Sequence, residues 1–533
     1  MRLAAVPVVA LLLAGLPAAG QETPLPNLFS DVIDVRVVNV EVVVTDRKGN
    51  RIRGLEASDF ELRVDGEQVP ISYFTEIDDG WPRISFDNGR PRTTRDSGAG
   101  NVPSLVPEEP VGTNFLIFIN DLAAIRKRRD GLLDRLEQDL ALLRPADRVA
   151  MVAFDGYNVS RLSDWTSSRS EIAAALQQAR ERKALGLLRH LNLGDVNDQT
   201  RRTVLAATGS IRSLANVPGR KVMLLLVEGW AGPTVPFRRP GFYASTEEIF
   251  GPLVDAANLA GYTLYPIGVR GFASVLDLDL ARSGNVAPSY YPGSSSTYPW
   301  RAWTLDAFPF LSATSPWSYE RSLRFLADET GGLALVHALR KDAFAIAADD
   351  SRTYYSLGFE PKRDQHDALH DIDVRVVGRR GFRIRSRESY VDMSKGTEVT
   401  MLVEGALLLG GSPGAETLEV WFGAPEKAGF RKIIVPMEVR IPLDDVTLLR
   451  VGSQWMNELE FRFTLINEYG DRSGIPTSKF HVLGSRAPLP GEHYVYEVSI
   501  FMRKRKHRYV AAVYDPLSDM ILSKSGTIGP RIE

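Results

Sequence analysis

The most informative absence in this chain of 533 residues is cysteine, which does not occur at all. Without thiols there are no disulfides, no thiolate zinc sites and no cysteine nucleophile, so a small disulfide-stapled module is excluded. Histidine is scarce too, with seven residues and no His-Glu-x-x-His pattern, which argues against a zinc protease. The formal charge of −2 gives no general attraction to nucleic acid or to an anionic membrane, and we expect neither as a partner.

Long apolar runs are confined to the amino terminus. Arg2 precedes an apolar run from Leu3 to Leu16, and Pro-Ala-Ala-Gly20 follows it. The run is shorter than the roughly 20 residues of a spanning helix, and its small-residue exit is typical of a cleaved signal peptide. The alternative is a transmembrane anchor. We predict a signal peptide over residues 1–20, and therefore a secreted or periplasmic protein without a membrane span.

The segment after the signal peptide has the pattern of β-structure. Val35 to Val44 is rich in β-branched residues, Phe60 to Val64 alternates, and Asp65-Gly66 is a strong hairpin signal. We therefore assign residues 21–87 to an amino-terminal β module. Residues 88–112, rich in Gly, Pro, Ser and Thr, are assigned to a linker.

From Thr113 the pattern changes to alternating strands and helices, which predicts a doubly wound, mostly parallel, Rossmann-like sheet with helices on both faces. This α/β domain covers residues 113–350, with inserts at 229–245 and 270–318. Its expected strands are Phe115–Asn120, Asp147–Asp155, Lys221–Val227 and Tyr262–Val269.

Strands return after the α/β domain. We expect the β strands of residues 351–397 to pack with the amino-terminal β module, so that the α/β domain is inserted into it. Residues 398–533 read as almost all strand and turn, which is typical of a β-sandwich.

Several motifs give the chain a family resemblance. They are Val40-Glu-Val-Val-Val-Thr-Asp46, Gly54-Leu-Glu-Ala-Ser-Asp-Phe60, Val64-Asp-Gly-Glu67, Leu326-Ala-Asp-Glu-Thr-Gly-Gly332, Tyr354-Tyr-Ser-Leu-Gly-Phe359 and Arg385-Ser-Arg-Glu-Ser-Tyr390. Through them residues 30–395 resemble the bacterial, Acidobacteria-type VWFA-related proteins, and the α/β segment resembles a von Willebrand factor type A domain. The expected fold class is therefore multidomain α/β plus all-β, with a type A domain flanked by β modules and a C-terminal β-sandwich.

The resemblance implies a metal-ion-dependent adhesion site at the carboxyl edge of the sheet, beginning with an Asp-x-Ser-x-Ser motif. Asp121 stands at the first position, but Ala123 and Ile125 stand where both serines belong. Because Mg²⁺ needs near-octahedral oxygen ligands, each lost hydroxyl weakens the site.

The remaining elements of that implied site are altered as well. Glu228 replaces the later aspartate, and the threonine candidates Thr200 and Thr203 stand outside the expected context. The cations of Arg126-Lys-Arg-Arg129 would oppose a divalent ion on the same edge. We expect no metal or other cofactor, with Asp121 and Glu228 as residual candidates; the alternative role for Asp121 is an N-cap or a buried partner for a nearby arginine.

The same edge carries aromatic and basic residues, because the segments after Val227 and Val269 both leave the sheet there. Aromatic rings beside arginines are enriched in binding surfaces. The alternative is that these rings only seal the inserts onto the domain. The predicted binding residues are Arg126, Arg128, Trp230, Arg238, Trp300 and Trp303.

Two weaker patterns remain. Gly410-Gly-Ser-Pro-Gly414 fits the Gly-x-Ser-x-Gly pattern, but a nucleophile elbow needs a strand-to-helix turn, and here we expect a hairpin turn between strands. His366 and His370 lie in an expected connection between two strands, without a helix to align them on a metal.

These observations predict an exported, non-catalytic binding or scaffold protein with a protein partner and no catalytic residues. The first alternative is a Mg-dependent adhesion protein with a residual metal site. The second is a hydrolase that uses Ser412.

Overall fold

The computed structural model describes residues 37–83, 86–87, 90–91, 109–122, 124–184, 193–227, 246–268, 316–336, 343–361, 367–378 and 381–529. They divide into two compact units, one ending at Met393 and the other beginning at Ser394. Within these ranges, no helix combines the length and apolarity that crossing a bilayer requires. The expected signal peptide, residues 1–20, lies outside the described residues.

The first unit opens with short strands. They are β1 (Val38–Thr45), β2 (Phe60–Val64), β3 (Glu67–Val69), β4 (Tyr73–Asp78), β5 (Trp81–Arg83), β6 (Phe86–Asp87) and β7 (Arg90–Pro91). Asp65 and Gly66 form the turn between β2 and β3 with φ angles of 51° and 80°. This left-handed conformation explains the Asp-Gly pair, since both residue types tolerate positive φ.

An α/β layer follows in the sequence. Its elements are β8 (Thr113–Asn120), α1 (Arg126–Asp139), β9 (Arg148–Phe154), β10 (Val159–Thr166), α2 (Arg169–Glu181), α3 (Leu193–Ser213), β11 (Arg220–Val227), α4 (Thr246–Ala260), β12 (Tyr262–Gly268), α5 (Pro316–Glu329) and α6 (Ala343–Asp350). The strand order is β10-β9-β8-β11-β12. Four strands are parallel, and β10 pairs antiparallel with β9. Strand β10 has no counterpart among the strands expected from the sequence.

Burial of the central strand on both faces organises this layer. All eight residues of β8 are buried, as the continuous apolar run of a central parallel strand requires. Phe115, Ile117 and Ile119 share one core with Leu133 of α1 and Ile172 of α2. Helices α3, α4 and α5 contact strands of the same sheet.

The strands after the α/β layer return to those at the start of the unit. They are β13 (Tyr354–Phe359), β14 (Leu369–Val376), β15 (Arg383–Arg385) and β16 (Ser389–Val391). β13 lies between β1 and β4, with Val38 opposite Phe359, and β14 pairs with β2. The two resulting sheets, β15-β1-β13-β4-β5 and β16-β14-β2-β3, enclose a common apolar core. We call this assembly the amino-terminal module.

Among its described residues, the second unit consists of one α-helix, one short 3-10 helix (Leu443–Asp445) and nine strands. They are α7 (Lys395–Leu409), β17 (Glu419–Phe422), β18 (Glu426–Lys427), β19 (Lys432–Pro442), β20 (Leu449–Val451), β21 (Gln454–Asn467), β22 (Thr477–Gly484), β23 (His493–Arg503), β24 (His507–Asp515) and β25 (Met520–Ile528). They form two antiparallel sheets, one around β19 and β23 and one around β21 and β24. Alternate residues of both sheets enter one core, including Val439 and Phe461.

The helix α7 contradicts the expectation that residues 398–533 are almost all strand and turn. Ser394 caps its first turn by accepting a hydrogen bond from the Thr397 N–H at 3.2 Å. Val403 and Val510 belong to a small core between α7 and the sheet of β21 and β24. The helix ends at Gly410, whose φ of 77° favours glycine.

Candidate functional site

The strand order places a reversal of winding direction at the centre of the sheet. β8 comes first in the sequence, with β9 and β10 on one side and β11 and β12 on the other, so the winding direction reverses between β8 and β11. In open α/β sheets, ligands bind at such a reversal, outside the carboxyl ends of the strands. Asp121 follows β8 directly, and Glu228, which follows β11, lies outside the described residues.

Asp121 is fully buried at this edge and held between two guanidinium groups. Its Oδ1 accepts from Nη1 of Arg129 at 2.7 Å, and its Oδ2 accepts from Nε of Arg182, also at 2.7 Å. The Asp121 N–H donates to the carbonyl of Phe154 at 2.9 Å. Both carboxylate oxygens are therefore engaged by charge-assisted hydrogen bonds, which are among the stronger polar contacts in proteins.

Arg129 uses its remaining donors to join α1 to the end of α2. Its Nε and Nη2 donate to Asp130 at 3.0 and 2.9 Å, and Nη2 also reaches the carbonyls of Arg180 and Arg182 at 3.2 and 3.0 Å. These carbonyls lie at the carboxyl end of α2, where a cation complements the helix dipole. The side chain of Arg129 is 3% exposed. The expectation that all four cations of 126–129 lie on the edge is therefore wrong for Arg129, which turns inward.

This arrangement disfavours metal binding at Asp121, because a divalent ion would have to displace two guanidinium groups. Among the described residues implied for the rest of such a site, Ile125 and Thr203 supply no free hydroxyl to it. Ile125 precedes the first turn of α1, and Thr203 bonds the Gln199 carbonyl within α3 at 2.9 Å. Across the described ranges, no group of three or more histidines and acidic residues is placed to hold a metal.

Of the six predicted binding residues, two are described. Arg126 begins α1 with a side chain that is 73% exposed, and its Nε lies 3.4 Å from Asp130. Arg128 is half-buried on the same turn. The first turn of α1 therefore presents Arg126 and the exposed Lys127 beside the buried Asp121 cluster. The other four, Trp230, Arg238, Trp300 and Trp303, lie outside the described residues.

The Gly410–Gly414 segment follows a helix rather than a strand, so the expectation of a hairpin between two strands is wrong. The Ser412 hydroxyl donates to the carbonyl of Gly414 at 2.7 Å and contacts the Ser523 hydroxyl. Neither group can act as a general base for a serine nucleophile. These contacts are structural, because they hydrogen-bond the Gly410–Gly414 turn to β25.

The histidine pair is likewise split. His366 lies outside the described residues, whereas His370 lies within β14 rather than in the connection expected for it. Its Nδ1 is 2.8 Å from Oδ2 of Asp65, and its ring stacks on Tyr390 with centroids 4.9 Å apart. These contacts join β14 to the β2–β3 turn.

No protein-family model matches the chain, and no curated protein matches its sequence. Solved structures similar to parts of it include the TFIIH p34 N-terminal domain, at 15% identity over 32% of this chain and 86% of that chain, with a TM-score of 0.18. A Bacteroides uniformis β-glucuronidase matches at 10% identity over 33% of this chain and 19% of that chain, with a TM-score of 0.16. The pilus adhesin SpaC from Lactobacillus rhamnosus GG matches at 9% identity over 80% of this chain and 57% of that chain, with a TM-score of 0.18. Similarities at these TM-scores carry no argument about fold or function.

Proposed function

We propose that the chain is an exported, non-catalytic binding protein that holds a protein partner at the carboxyl edge of its central sheet. The observation that carries this proposal is the position of Asp121, which stands where a type A domain begins its metal site but is buried between Arg129 and Arg182. Export rests on the amino-terminal apolar segment of the sequence.

We also infer that residues 113–350 adopt a type A fold and that the two sheets of the second unit form a β-sandwich. The first inference is supported by a mixed five-stranded sheet whose first strand is central and whose winding direction reverses beside the strand that Asp121 follows. The second is supported by the single core shared by the sheets of β19 and β21.

The partner surface is proposed to combine the exposed cations at the start of α1 with the aromatic inserts. Arg126 is exposed, and within the described part of the chain its ion pair is with Asp130, a partly exposed carboxylate of the same helix, so it can be redirected to a partner at small cost. Arginine and tryptophan are the residue types that most often dominate binding energy. A partner with an acidic patch fits this composition, since opposite charges also speed association.

To test the proposal, the protein is immobilised and used to capture its partner from an envelope extract, and the captured proteins are identified by mass spectrometry. We expect Trp300→Ala with Trp303→Ala, and separately Arg126→Glu with Lys127→Glu, to lose the captured partner with nearly unchanged melting temperatures. Arg135→Glu is the matched control, because Arg135 lies further along α1 and is 49% exposed. An undiminished capture by both double variants would contradict the proposal.

A metal-binding measurement on the same protein distinguishes this proposal from the alternative of Mg-dependent adhesion. Titration calorimetry with Mg²⁺ and Mn²⁺, with and without the captured partner, should give no heat beyond dilution. A saturable heat that Asp121→Asn abolishes would favour a metal site instead, in which Asp121 exchanges its arginines for the ion.

A further inference from the structure

Three turns of the second unit meet at one end of its two sheets. They are residues 428–431 between β18 and β19, 468–476 between β21 and β22, and 504–506 between β23 and β24. The N–H of Lys504 donates to the carbonyl of Arg431 at 3.0 Å, which joins the third turn to the first. Nη1 of Arg503, at the end of β23, donates to Oδ2 of Asp471 at 3.1 Å, which joins the third turn to the second. We call residues 426–432, 467–472 and 503–508 the basic tip.

The basic tip carries an excess of positive charge. Its three segments contain nine lysines and arginines and three carboxylates, those of Glu426, Glu468 and Asp471. Arg472 also pairs with Glu404 of α7, which adds a fourth carboxylate. Nine cations against four carboxylates leave five positive charges in excess. The formal charge of −2 for the whole chain conceals this excess, so the expectation of no attraction to an anionic membrane does not extend to this part of the surface.

Six of the nine cations have no carboxylate partner among the described residues. Of the other three, Arg472 pairs with Glu404 as stated, Arg503 pairs with Asp471, and Arg505 lies 3.8 Å from Glu468. The six cations without such a pair are all exposed, and they are Lys427, Arg431, Lys432, Lys504, Lys506 and Arg508. Their charges are therefore available to an external anionic partner.

An aromatic ring protrudes from the same tip. Phe430, in the β18–β19 turn, is 92% exposed, the highest value for any large apolar side chain in the described ranges. Tyr469, in the β21–β22 turn, is 48% exposed, and the guanidinium carbon of Arg505 lies 4.7 Å from its ring centre. A ring on the floor of a groove would be shielded by the walls. The exposure of Phe430 therefore shows that the tip is convex at this point.

The combination of these features is more informative than either alone. An exposed basic turn is commonly a solvated surface, and a single exposed apolar side chain needs no explanation. A protruding aromatic ring among uncompensated cations is the composition of surfaces that lie on anionic bilayers. There, aromatic rings lie at the level of the headgroups, and lysine and arginine are attracted to anionic lipids.

We propose that the basic tip binds the surface of a bilayer that contains anionic lipids, with the Phe430 ring entering the boundary between headgroups and acyl chains. The six exposed cations lie against the phosphates of the headgroups. A planar partner fits a convex tip, whereas single-stranded nucleic acids and helical or proline-rich peptides are bound in grooves. The residues of this surface all belong to the second unit, so the attachment is separate from the partner surface proposed at Asp121.

Co-sedimentation with vesicles tests the proposal. The chain from Gln21 onward, the expected mature protein, is used because it keeps every described residue and lacks the apolar run Leu3–Leu16. The vesicles contain phosphatidylcholine alone or an equimolar mixture with the anionic phosphatidylglycerol. Each cation near an anionic surface strengthens binding about fivefold, so partitioning onto the mixed vesicles should exceed that onto phosphatidylcholine by at least about 100-fold at low salt. The difference should be largely lost at about 1 M salt, where charges are screened within about 3 Å.

Charge reversal at the tip should weaken this binding. Lys504→Glu with Lys506→Glu removes two exposed cations, and we expect at least about 25-fold weaker partitioning onto the mixed vesicles. Lys48→Glu with Arg450→Glu is the matched control, because it changes the net charge equally. Lys48 lies at an exposed turn of the first unit, and Arg450 pairs with Trp455 at the end of β21 remote from the tip. The control should bind as wild type does, and melting temperatures verify that both variants are folded.

The ring of Phe430 is tested in two ways. Phe430→Ser should weaken partitioning onto the mixed vesicles at least about fivefold, because the apolar area buried in the bilayer is lost. Since the chain contains no cysteine, Phe430→Cys also provides a single site for an environment-sensitive apolar dye. The emission of this dye should shift to the blue when mixed vesicles are added. A dye on Ser453→Cys, in the β20–β21 turn at the remote end of β21, should not respond.

Equal binding to the two kinds of vesicle would overturn the proposal, as would equal binding by wild type and the Lys504 and Lys506 double variant. If Phe430→Ser binds as wild type does and the dye at residue 430 does not respond, the tip recognises charge alone, as for a soluble acidic polymer, and the assignment to a bilayer is refuted. Equal dye responses at residues 430 and 453 would refute the orientation. None of these outcomes depends on the capture of a protein partner.

Discussion

Replacing Asp121 by Asn distinguishes a structural carboxylate from the remnant of a metal site. In the folded protein Asp121 and Arg129 are 0% and 3% exposed, with 2.7 Å between Oδ1 and Nη1. Removing one partner of such a pair typically costs about 3–5 kcal/mol, because the other charge stays buried. In the variant, Asp130 still contacts Arg129, and Arg182, which is 21% exposed, can be hydrated. We therefore expect the free energy of unfolding to fall by about 3 kcal/mol, near the lower end of that range.

Asp134→Asn is the matched control. Asp134 also pairs with an arginine, Arg180 at 2.9 Å, but its side chain is 60% exposed. Exposed pairs contribute about 0–1 kcal/mol, so the two substitutions should differ by about 2 kcal/mol in the free energy of unfolding.

Urea unfolding measures this difference as a shift of the midpoint at constant slope. With slopes of about 1–3 kcal/mol/M, the Asp121 variant should unfold roughly 1 M or more below wild type. The chain has two compact units, so the shift is read from the transition that moves rather than from the whole curve. If Asp121→Asn and Asp134→Asn unfold at the same midpoint, the argument that Asp121 neutralises a buried cation is refuted.

Two further predictions concern the same unit. Burial lowers the pKa of Lys221 to about 8 in the folded protein, below the 10.5 of the unfolded chain. Between these two values the unfolded state binds more protons, so the free energy of unfolding rises with pH. In urea unfolding, wild type should therefore gain on the order of 3 kcal/mol of stability relative to Lys221→Met from pH 7.5 to 10.5, and parallel stability curves for the two proteins would contradict this. A Cβ on Gly332 would lie 1.9 Å from the Leu264 carbonyl oxygen, so Gly332→Ala should destabilise the protein by more than about 1 kcal/mol. Gly131 lies in the open middle of α1, so Gly131→Ala should stabilise the protein by about 0.5–1 kcal/mol. Equal thermal midpoints for the two variants would show that the backbone contact at Gly332 does not matter.

Elements with an uninterrupted apolar signal could be predicted from sequence, and half-exposed ones could not. The strand predicted at Phe115–Asn120 corresponds to β8, because a central parallel strand is buried on both faces and carries the continuous apolar run Phe115–Ile119. The strand β10, Val159–Thr166, has mostly half-buried residues, so its alternation is too weak to separate it from a loop. Edge strands are therefore missed more easily than central ones.

The helix α7 was missed because its composition favours strand. Thr397, Val399, Thr400 and Val403 are β-branched, and the local preference is overridden by packing onto β21 and β24. A signal was present, since Val399, Val403 and Leu407 recur at four-residue spacing after the N-cap Ser394.

For the candidate site, the position of Asp121 at the carboxyl end of β8 and its pairing with a nearby arginine could be predicted from the sequence. Arg129 lies eight residues after Asp121, so a buried pairing with a nearby arginine is one of the two alternative roles that the sequence suggests for Asp121. Arg182 comes from the end of another helix, so its contact with Asp121 depends on the tertiary fold, and no local pattern encodes it.

The pairing of β1 with β13 fixes an order of events during synthesis. Val38 meets Phe359 across the ladder, so the amino-terminal strand leaves the ribosome about 300 residues before its partner exists. At about 5–20 residues per second, the wait lasts roughly 15–60 s. During that time the β-branched edge of Val38–Thr45 is open to pairing with other chains, so the α/β layer can fold while the amino-terminal module must be kept from aggregating. A nascent chain stalled before Tyr354 should therefore need a chaperone that a chain completed beyond Val391 does not.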